Sequence, residues 1–160
     1  MPKDKSTSKD KSALSKQKLI ELLNEDLQRE YQAIIAYVNY SQVLKGAAYM
    51  NIAAELEVHA GEELGHALKL SYWIDLFGGM PAVTPKPVKT SEKATDMLRF
   101  DLENEKTTIA NYRRRIKQAD QLDEYALSED LREILRDEFD HLNSLATALG
   151  EDTPDPGIAD

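Results

Sequence analysis

The sequence predicts an all-α fold, a four-helix bundle made of two antiparallel hairpins joined by a long crossover. Three observations lead there. Residue usage favours helix, because Ala, Leu, Glu, Lys and Gln dominate while glycine and proline gather mainly in 78–87 and in the C-terminal tail. Apolar residues recur at alternating steps of three and four, which keeps them on one helix face. Between the second and third such patterns the stretch "GGMPAVTPKPVKTS", residues 78–91, holds three prolines and stays out of helix.

The elements follow in order. Residues 1–18 hold six lysines and two aspartates without an apolar stretch, so they read as a flexible Lys-rich tail and not as an export signal. The first helical pattern is Ile20, Leu23, Leu27, Glu30, Ile34, Tyr37, Ser41, Leu44. "KGAA" at 45–48 interrupts it, a joint short enough to demand an antiparallel neighbour. The second pattern is Ile52, Leu56, His59, Glu63, His66, Leu70, Trp73, Phe77. Fourteen extended residues reach at most roughly 46–50 Å, and a helix of about 29 residues is ~44 Å long. The 78–91 segment therefore suffices to run the length of the bundle. Ser91, Glu92 and Lys93 mark the start of the third pattern, Leu98, Leu102, Glu105, Ile109, Tyr112, Ile116, Ala119. After "DQLDEYA" comes the fourth: Leu127, Leu131, Ile134, Glu138, His141, Leu145, Ala148. Gly150 stops it and 150–160 form a polar tail, so the expected domain is 19–149.

The bulk properties exclude several functions. At 160 residues the chain suits one domain with a real core. It has no cysteine, which removes disulfides, thiolate metal sites and cysteine nucleophiles. No run approaches the ~18 apolar residues of a membrane span, so the expectation is a soluble cytoplasmic protein with no membrane partner. The net charge of −9 opposes nonspecific nucleic-acid binding and attracts cations.

Polar residues occupy core-facing positions, and they repeat. Glu30 and Glu105, Tyr37 and Tyr112, Glu63 and Glu138, and His66 and His141 are each 75 residues apart. Asp26 and Asp101 keep that offset, as do Glu62 and Asp137, the pair expected to face away from the centre. Leu27, Ile34, Ile52 and Leu56 match Leu102, Ile109, Leu127 and Leu131, whereas Ile20 meets Thr95, so the outer turn of the repeat is loose. Each half is a hairpin that gives one Glu from its first helix and Glu-x-x-His from its second. Residues i and i+3 share a helix face.

An isolated buried carboxylate protonates or finds a partner. Here four carboxylates and two imidazoles point at one mid-bundle region, with no Lys or Arg at equivalent positions. Two divalent cations would balance the four negative charges, and mixed oxygen and nitrogen donors suit iron or manganese. One Glu-x-x-His is weak evidence; two at a common offset, each with Glu-x6-Tyr on the partner helix, form the di-metal carboxylate pattern of helix bundles.

With these residues in view the chain resembles bacterioferritin, of the ferritin-like di-iron carboxylate family, over roughly 19–149, including "NEDLQREYQAIIAY", "EELGHA", "MLRFDLENE" and "EILRDEFDH". The resemblance implies that Glu30 and His66 are terminal ligands of one iron, Glu105 and His141 those of the other, and that Glu63 and Glu138 bridge. It places Tyr37 beside the site, and Tyr112 is its symmetry mate, a feature closer to rubrerythrin. Bacterioferritin carries a haem-ligating methionine directly after the second-helix glutamate; Leu64 stands there, so haem is not expected. The family's short fifth helix has no counterpart in "EDTPDPGIAD", which leaves a twelve-subunit cage, another cage or a dimer open.

The resulting expectation is a ferroxidase that binds two iron ions per subunit, manganese being the other metal the ligands allow. It would oxidise Fe(II) with O2 or H2O2, for iron storage and protection from oxidative stress. A rubrerythrin-like peroxidase or dimanganese catalase-like protein would use the same site without storing mineral. A third reading is a DNA-protecting miniferritin acting through the basic tail; a solvated tail is preferred, because two aspartates dilute its charge. His59, one turn before Glu63, reads either as a third-metal or entry-site residue or as a satisfied buried histidine. Trp73 and Phe77 read as core or subunit-contact residues, and "RRR" at 113–115 as a solvated face or an interface cluster.

Overall fold

The computed structural model describes residues 13–157. Four helices and no strand occur among them: α1 Lys16–Val43, α2 Met50–Leu76, α3 Ala94–Gln121 and α4 Tyr125–Ala148. A short 3-10 turn, Ala47–Tyr49, leads into α2. Residues 1–12, with most of the lysine-rich tail and the DNA reading attached to it, lie outside the described residues.

Local chemistry sets the helix starts. The Ser15 hydroxyl accepts the Lys18 N–H at 3.1 Å, so α1 begins at Lys16 and draws Lys16 and Lys18 into the helix. At α3 the Ser91 hydroxyl accepts the Lys93 N–H at 3.0 Å and donates to Asp96 at 2.9 Å. Residues 91–93 are thereby held in a turn, and the helix starts at Ala94 instead of Ser91. The joint before α4 is tighter than "DQLDEYA" implies, because Asp123 takes a left-handed conformation (φ 60°) and lets the helix start at Tyr125.

α1 packs on α2 and α3 on α4 as two hairpins, which face one another through α1–α3 and α2–α4. The apolar core is split in two. One half gathers Leu19, Leu23, Leu27, Leu70, Ile74, Ile116, Leu127 and Leu131. The other gathers Leu44, Ile52, Leu56, Leu98, Leu102, Ile109, Leu142 and Leu145. A polar layer lies between them, and each buried Leu or Ile contributes ~1.5–3 kcal/mol towards holding it together.

The crossover runs along α1. Asn24 donates to Met80 O at 3.1 Å and accepts from Ala82 N at 2.7 Å. One turn on, Gln28 donates to the Thr84 hydroxyl at 3.2 Å and its carbonyl accepts from Lys86 N at 3.0 Å. Gln32 reaches Pro87 O at 2.6 Å, and the Tyr40 hydroxyl donates to Lys89 O. Polar residues spaced along one face of α1 thus satisfy the carbonyls and N–H groups of a proline-interrupted strap that cannot satisfy its own. At the strap's origin Gly78 has φ +89° and Gly79 packs against α1: a Cβ there would meet Ile20 Cγ2 at 2.5 Å.

Candidate metal centre

The polar layer is built from all four helices. Glu30 projects from α1, Glu63 and His66 from α2, Glu105 from α3, Glu138 and His141 from α4. All six are buried, Glu63 and Glu138 completely. His66 Nδ1 lies 2.8 Å from Glu63 Oε2, 3.2 Å from Glu138 Oε1 and 3.7 Å from Glu30 Oε2. His141 Nδ1 lies 3.0 Å from Glu63 Oε1, 3.2 Å from Glu138 Oε2 and 3.8 Å from Glu105 Oε1. Glu63 and Glu138 therefore each turn one oxygen to either imidazole. Two groups of four donors result, Glu30/Glu63/His66/Glu138 and Glu63/Glu105/Glu138/His141, each compact enough to hold one metal ion.

The outer nitrogens are also fixed. His66 Nε2 sits 3.0 Å from Asp137 Oδ2 and His141 Nε2 2.7 Å from Glu62 Oε2. Glu62 and Asp137 do turn away from the centre, as the sequence implied, but each reaches across to the histidine of the opposite hairpin. A carboxylate on Nε2 keeps a hydrogen there and turns Nδ1 inward, the nitrogen that can bind a cation once its own proton leaves. The tyrosines cross over in the same manner: Tyr37 OH donates to Glu105 Oε1 and Tyr112 OH to Glu30 Oε1.

No lysine or arginine belongs to the centre. Both oxygens of Glu138 and Oε2 of Glu105 are buried without a hydrogen-bond partner. Burial, with the charges of Glu138 and Glu30 added, pushes the Glu63 carboxyl well above its ordinary range. Burial likewise raises Glu105, to about 7. For both imidazoles burial works downward, but the carboxylates around them outweigh it and hold them well above the usual histidine value. Orphaned buried carboxylate oxygens facing a cluster that must take up protons fit a site for cations. A cavity of ≈ 10 Å³, about one water molecule, is lined by Glu30, Glu63, Glu105 and Glu138 together with Arg29 and Asp101.

The ferritin-like domain matches residues 20–153. The chain belongs to the ferritin-like family. It is 31% identical to the bacterioferritin of Brucella melitensis biotype 1 over 133 residues, 82% of this chain and 83% of that protein. It is similar in structure to a ferritin-like, diiron-carboxylate protein of Bacillus anthracis str. Ames, with 35% identity, TM-score 0.81, and coverage of 85% of this chain and 99% of that one. The dodecameric thioferritin of Bacteroides fragilis, a bacterioferritin-related protein, aligns at 26% identity and TM-score 0.79 over 86% of this chain and 87% of its own.

Other residues of this ferritin-like chain depart from their sequence readings. His59 is buried and stacks on His141 with centroids 4.1 Å apart; its Nε2 is 3.3 Å from Glu55, while Nδ1 has no partner. It is therefore not a fully satisfied histidine, and with Glu62 and His141 it forms a third group of metal-capable atoms. Trp73 is half-buried and donates to Asp130 at 2.7 Å. The three arginines part ways. Arg113 lies over the Phe139 ring and Arg114 is exposed, but Arg115 is buried and grips Asp26 through Nε at 2.6 Å and a terminal nitrogen at 3.0 Å. A solvated triplet is thus wrong for Arg115. Half of the signal lies in the sequence: Asp26 belongs to the buried repeat and needs a cation, but only the fold shows which arginine supplies it. Leu64, at the haem-methionine position, is exposed on α2 in line with Leu68, Tyr72 and Leu76. None of the described helices is long and apolar enough to cross a membrane.

Proposed function

We propose that the protein is a ferroxidase holding two iron ions per subunit, with Glu30 and His66 on one ion, Glu105 and His141 on the other, and Glu63 and Glu138 bridging. The observation that carries this reading is the sharing of Glu63 and Glu138 between two four-residue groups, one oxygen of each turned to either side. Two Fe(II) ions bound there would each supply one electron to O2 or H2O2 and leave as Fe(III).

The chain's own residues do the rest. Four carboxylates offset the charge of two divalent ions and favour the higher charge that follows oxidation. Nδ1 of each imidazole would bind metal, while Asp137 and Glu62 hold the Nε2 hydrogens and so the ring planes. Tyr37 and Tyr112 each engage one oxygen of a terminal glutamate, leaving the other oxygen for metal. The two apolar half-cores exclude bulk water and keep these interactions strong.

Assembly into a homo-oligomeric cage extends the reading; the Bacteroides fragilis relative is dodecameric, and the Leu64, Leu68, Tyr72 and Leu76 stripe offers apolar contact area. Cytoplasmic location is part of the same reading. The symmetric Tyr37 and Tyr112 pair favours a peroxidase that cycles two metals without storing mineral as the second reading. Anaerobic Fe(II) titration, followed by O2 or H2O2 with size and retained metal measured, separates them. Two ions per subunit before oxidation and many afterwards supports the ferroxidase; two throughout, with peroxide turnover, supports the peroxidase. Failure to bind two metals defeats both.

A further inference from the structure

A groove of ≈ 290 Å³ lies between the first half of α1, the second half of α3 and the crossover. Its walls carry four cationic side chains, Arg29, Lys86, Arg114 and Arg115; Asp26 neutralises Arg115 and Glu25 is the one carboxylate in the lining, which leaves the groove positive. That sign is opposite to the net charge of −9 on the whole chain. The concentration is not a by-product of ion pairing. Among the described residues the lysine and arginine ion pairs use Lys16, Lys18, Lys69, Arg99, Lys106, Arg115 and Arg132. Arg29, Lys86 and Arg114 appear in none of them. Arg29 and Lys86 are half-buried, so each has given up part of its hydration with no carboxylate in return.

The groove is also shaped in advance. Arg115 is locked in the wall by Asp26, and its other terminal nitrogen donates to Gln118 Oε1 at 2.6 Å. Because that oxygen is used, the Gln118 amide group is left as a donor at the groove, beside Asn111. Lys86 is placed by its backbone N–H, which donates to Gln28 O at 3.0 Å. Cations from three separate elements, α1, the crossover and α3, converge on one groove. Guanidinium forks and an ammonium around neutral amide donors match the tetrahedral oxygens of a phosphate group.

We propose that this groove binds a phosphate group, either inorganic phosphate or the phosphate of a small monoester. Its volume is at the low end of small-molecule sites, which leaves room for a modest substituent on the phosphate. Arg29 lines this groove and the small cavity beside Glu30 and Glu105 as well, so the anion would sit next to the metal centre without entering it.

Calorimetric titration of the metal-free full-length chain with inorganic phosphate, and separately with adenosine 5′-monophosphate, at constant sodium chloride concentration tests this. The expected result is one saturable site per subunit, weakened about tenfold or more by either Lys86→Ala or Arg114→Ala, each of which removes a charged hydrogen-bond donor. Tighter binding of the monoester assigns the site to a phosphate ester, and equal or tighter binding of inorganic phosphate assigns it to the free ion. Arg113→Ala is the control: it removes the same charge from the same triplet, but its guanidinium lies over Phe139. Absence of saturable binding for both probes, or an equal loss in Arg113→Ala, overturns the proposal. Neither outcome depends on whether the centre binds iron.

Discussion

Glu62 accepts from Nε2 of His141 at 2.7 Å, a contact that runs from α2 to α4 and ties the two hairpins together outside the metal centre. Asp137 does the same for His66 at 3.0 Å in the opposite direction. Both carboxylates are nearly half exposed, so their removal should leave the fold intact. Partners of this kind tune metal affinity by roughly 10–100-fold. Glu62→Ala and Asp137→Ala are expected to weaken anaerobic Co(II) or Fe(II) binding within that range, and to similar extents. A variant that binds as tightly as the parent would show that the tautomer is set elsewhere.

The shared position of Glu63 and Glu138 makes their loss different in kind from that of Glu30 or Glu105. Removing a carboxylate common to both groups is expected to abolish binding of the pair of ions, whereas Glu30→Ala or Glu105→Ala should leave one. Metal counted per subunit after anaerobic loading decides this.

Metal binding should release protons. In the metal-free chain burial lifts Glu63 well above the carboxylate range and brings Glu105 to about 7, and the carboxylates keep both imidazoles charged against their own burial. The centre therefore retains protons near neutrality that two cations must displace, and affinity should rise with pH. Anaerobic Zn(II) or Fe(II) addition in weakly buffered solution at about pH 7 is expected to release more than one proton per subunit. Binding should weaken progressively as the pH is lowered through the range about 8 to 6. A pH-independent affinity would contradict the proton-loaded centre.

The repeat of 75 residues made the centre legible, since buried Glu and His stand out against an otherwise apolar helix face. Periodicity gives helices and faces, and the short "KGAA" joint gives a hairpin. What it could not give was contacts between residues remote in sequence. Nothing local to Glu62 reveals that it turns to His141, and nothing in "RRR" separates Arg115 from its neighbours until Asp26 is seen opposite. Helix starts were missed by a few residues for a similar reason. Ser15 and Ser91 are both potential caps, and only backbone geometry decides that the first caps a helix while the second holds a turn ahead of one.

Gly79 is where the crossover leaves α2 and closes on α1. A methyl group there would lie 2.5 Å from Ile20 Cγ2 and 3.1 Å from Ile74 Cγ2, both in well-packed side chains. Gly79→Ala should cost about 1–3 kcal/mol, as overpacking commonly does. Pairing it with Ile20→Val or Ile20→Ala, which opens space, should recover part of that loss. Denaturant unfolding of the metal-free chain measures both, and no change on Gly79→Ala would mean that the strap yields freely at this point.

The buried pair of Asp26 and Arg115 breaks the internal symmetry, because its counterpart in the other half is Asp101 with Tyr40 in place of arginine. Tyr40 turns instead to Lys89 O on the crossover, and Asp101 keeps a buried oxygen without a partner. Burial accordingly pushes the Asp101 carboxyl far up, and the charge of Glu105 adds to it. Asp26 is also raised by burial, but Arg115 works against that rise. The two aspartates should therefore respond differently. Arg115→Ala strands a buried carboxylate and is expected to cost roughly 3–5 kcal/mol. Tyr40→Phe removes one hydrogen bond to the strap and should cost only about 0.5–1.5 kcal/mol. The cycle Arg115→Ala, Asp26→Asn and their combination should be strongly non-additive, the double variant being more stable than the sum of the single losses predicts. Additive losses would show that Arg115 stabilises the bundle through its stem and not through Asp26.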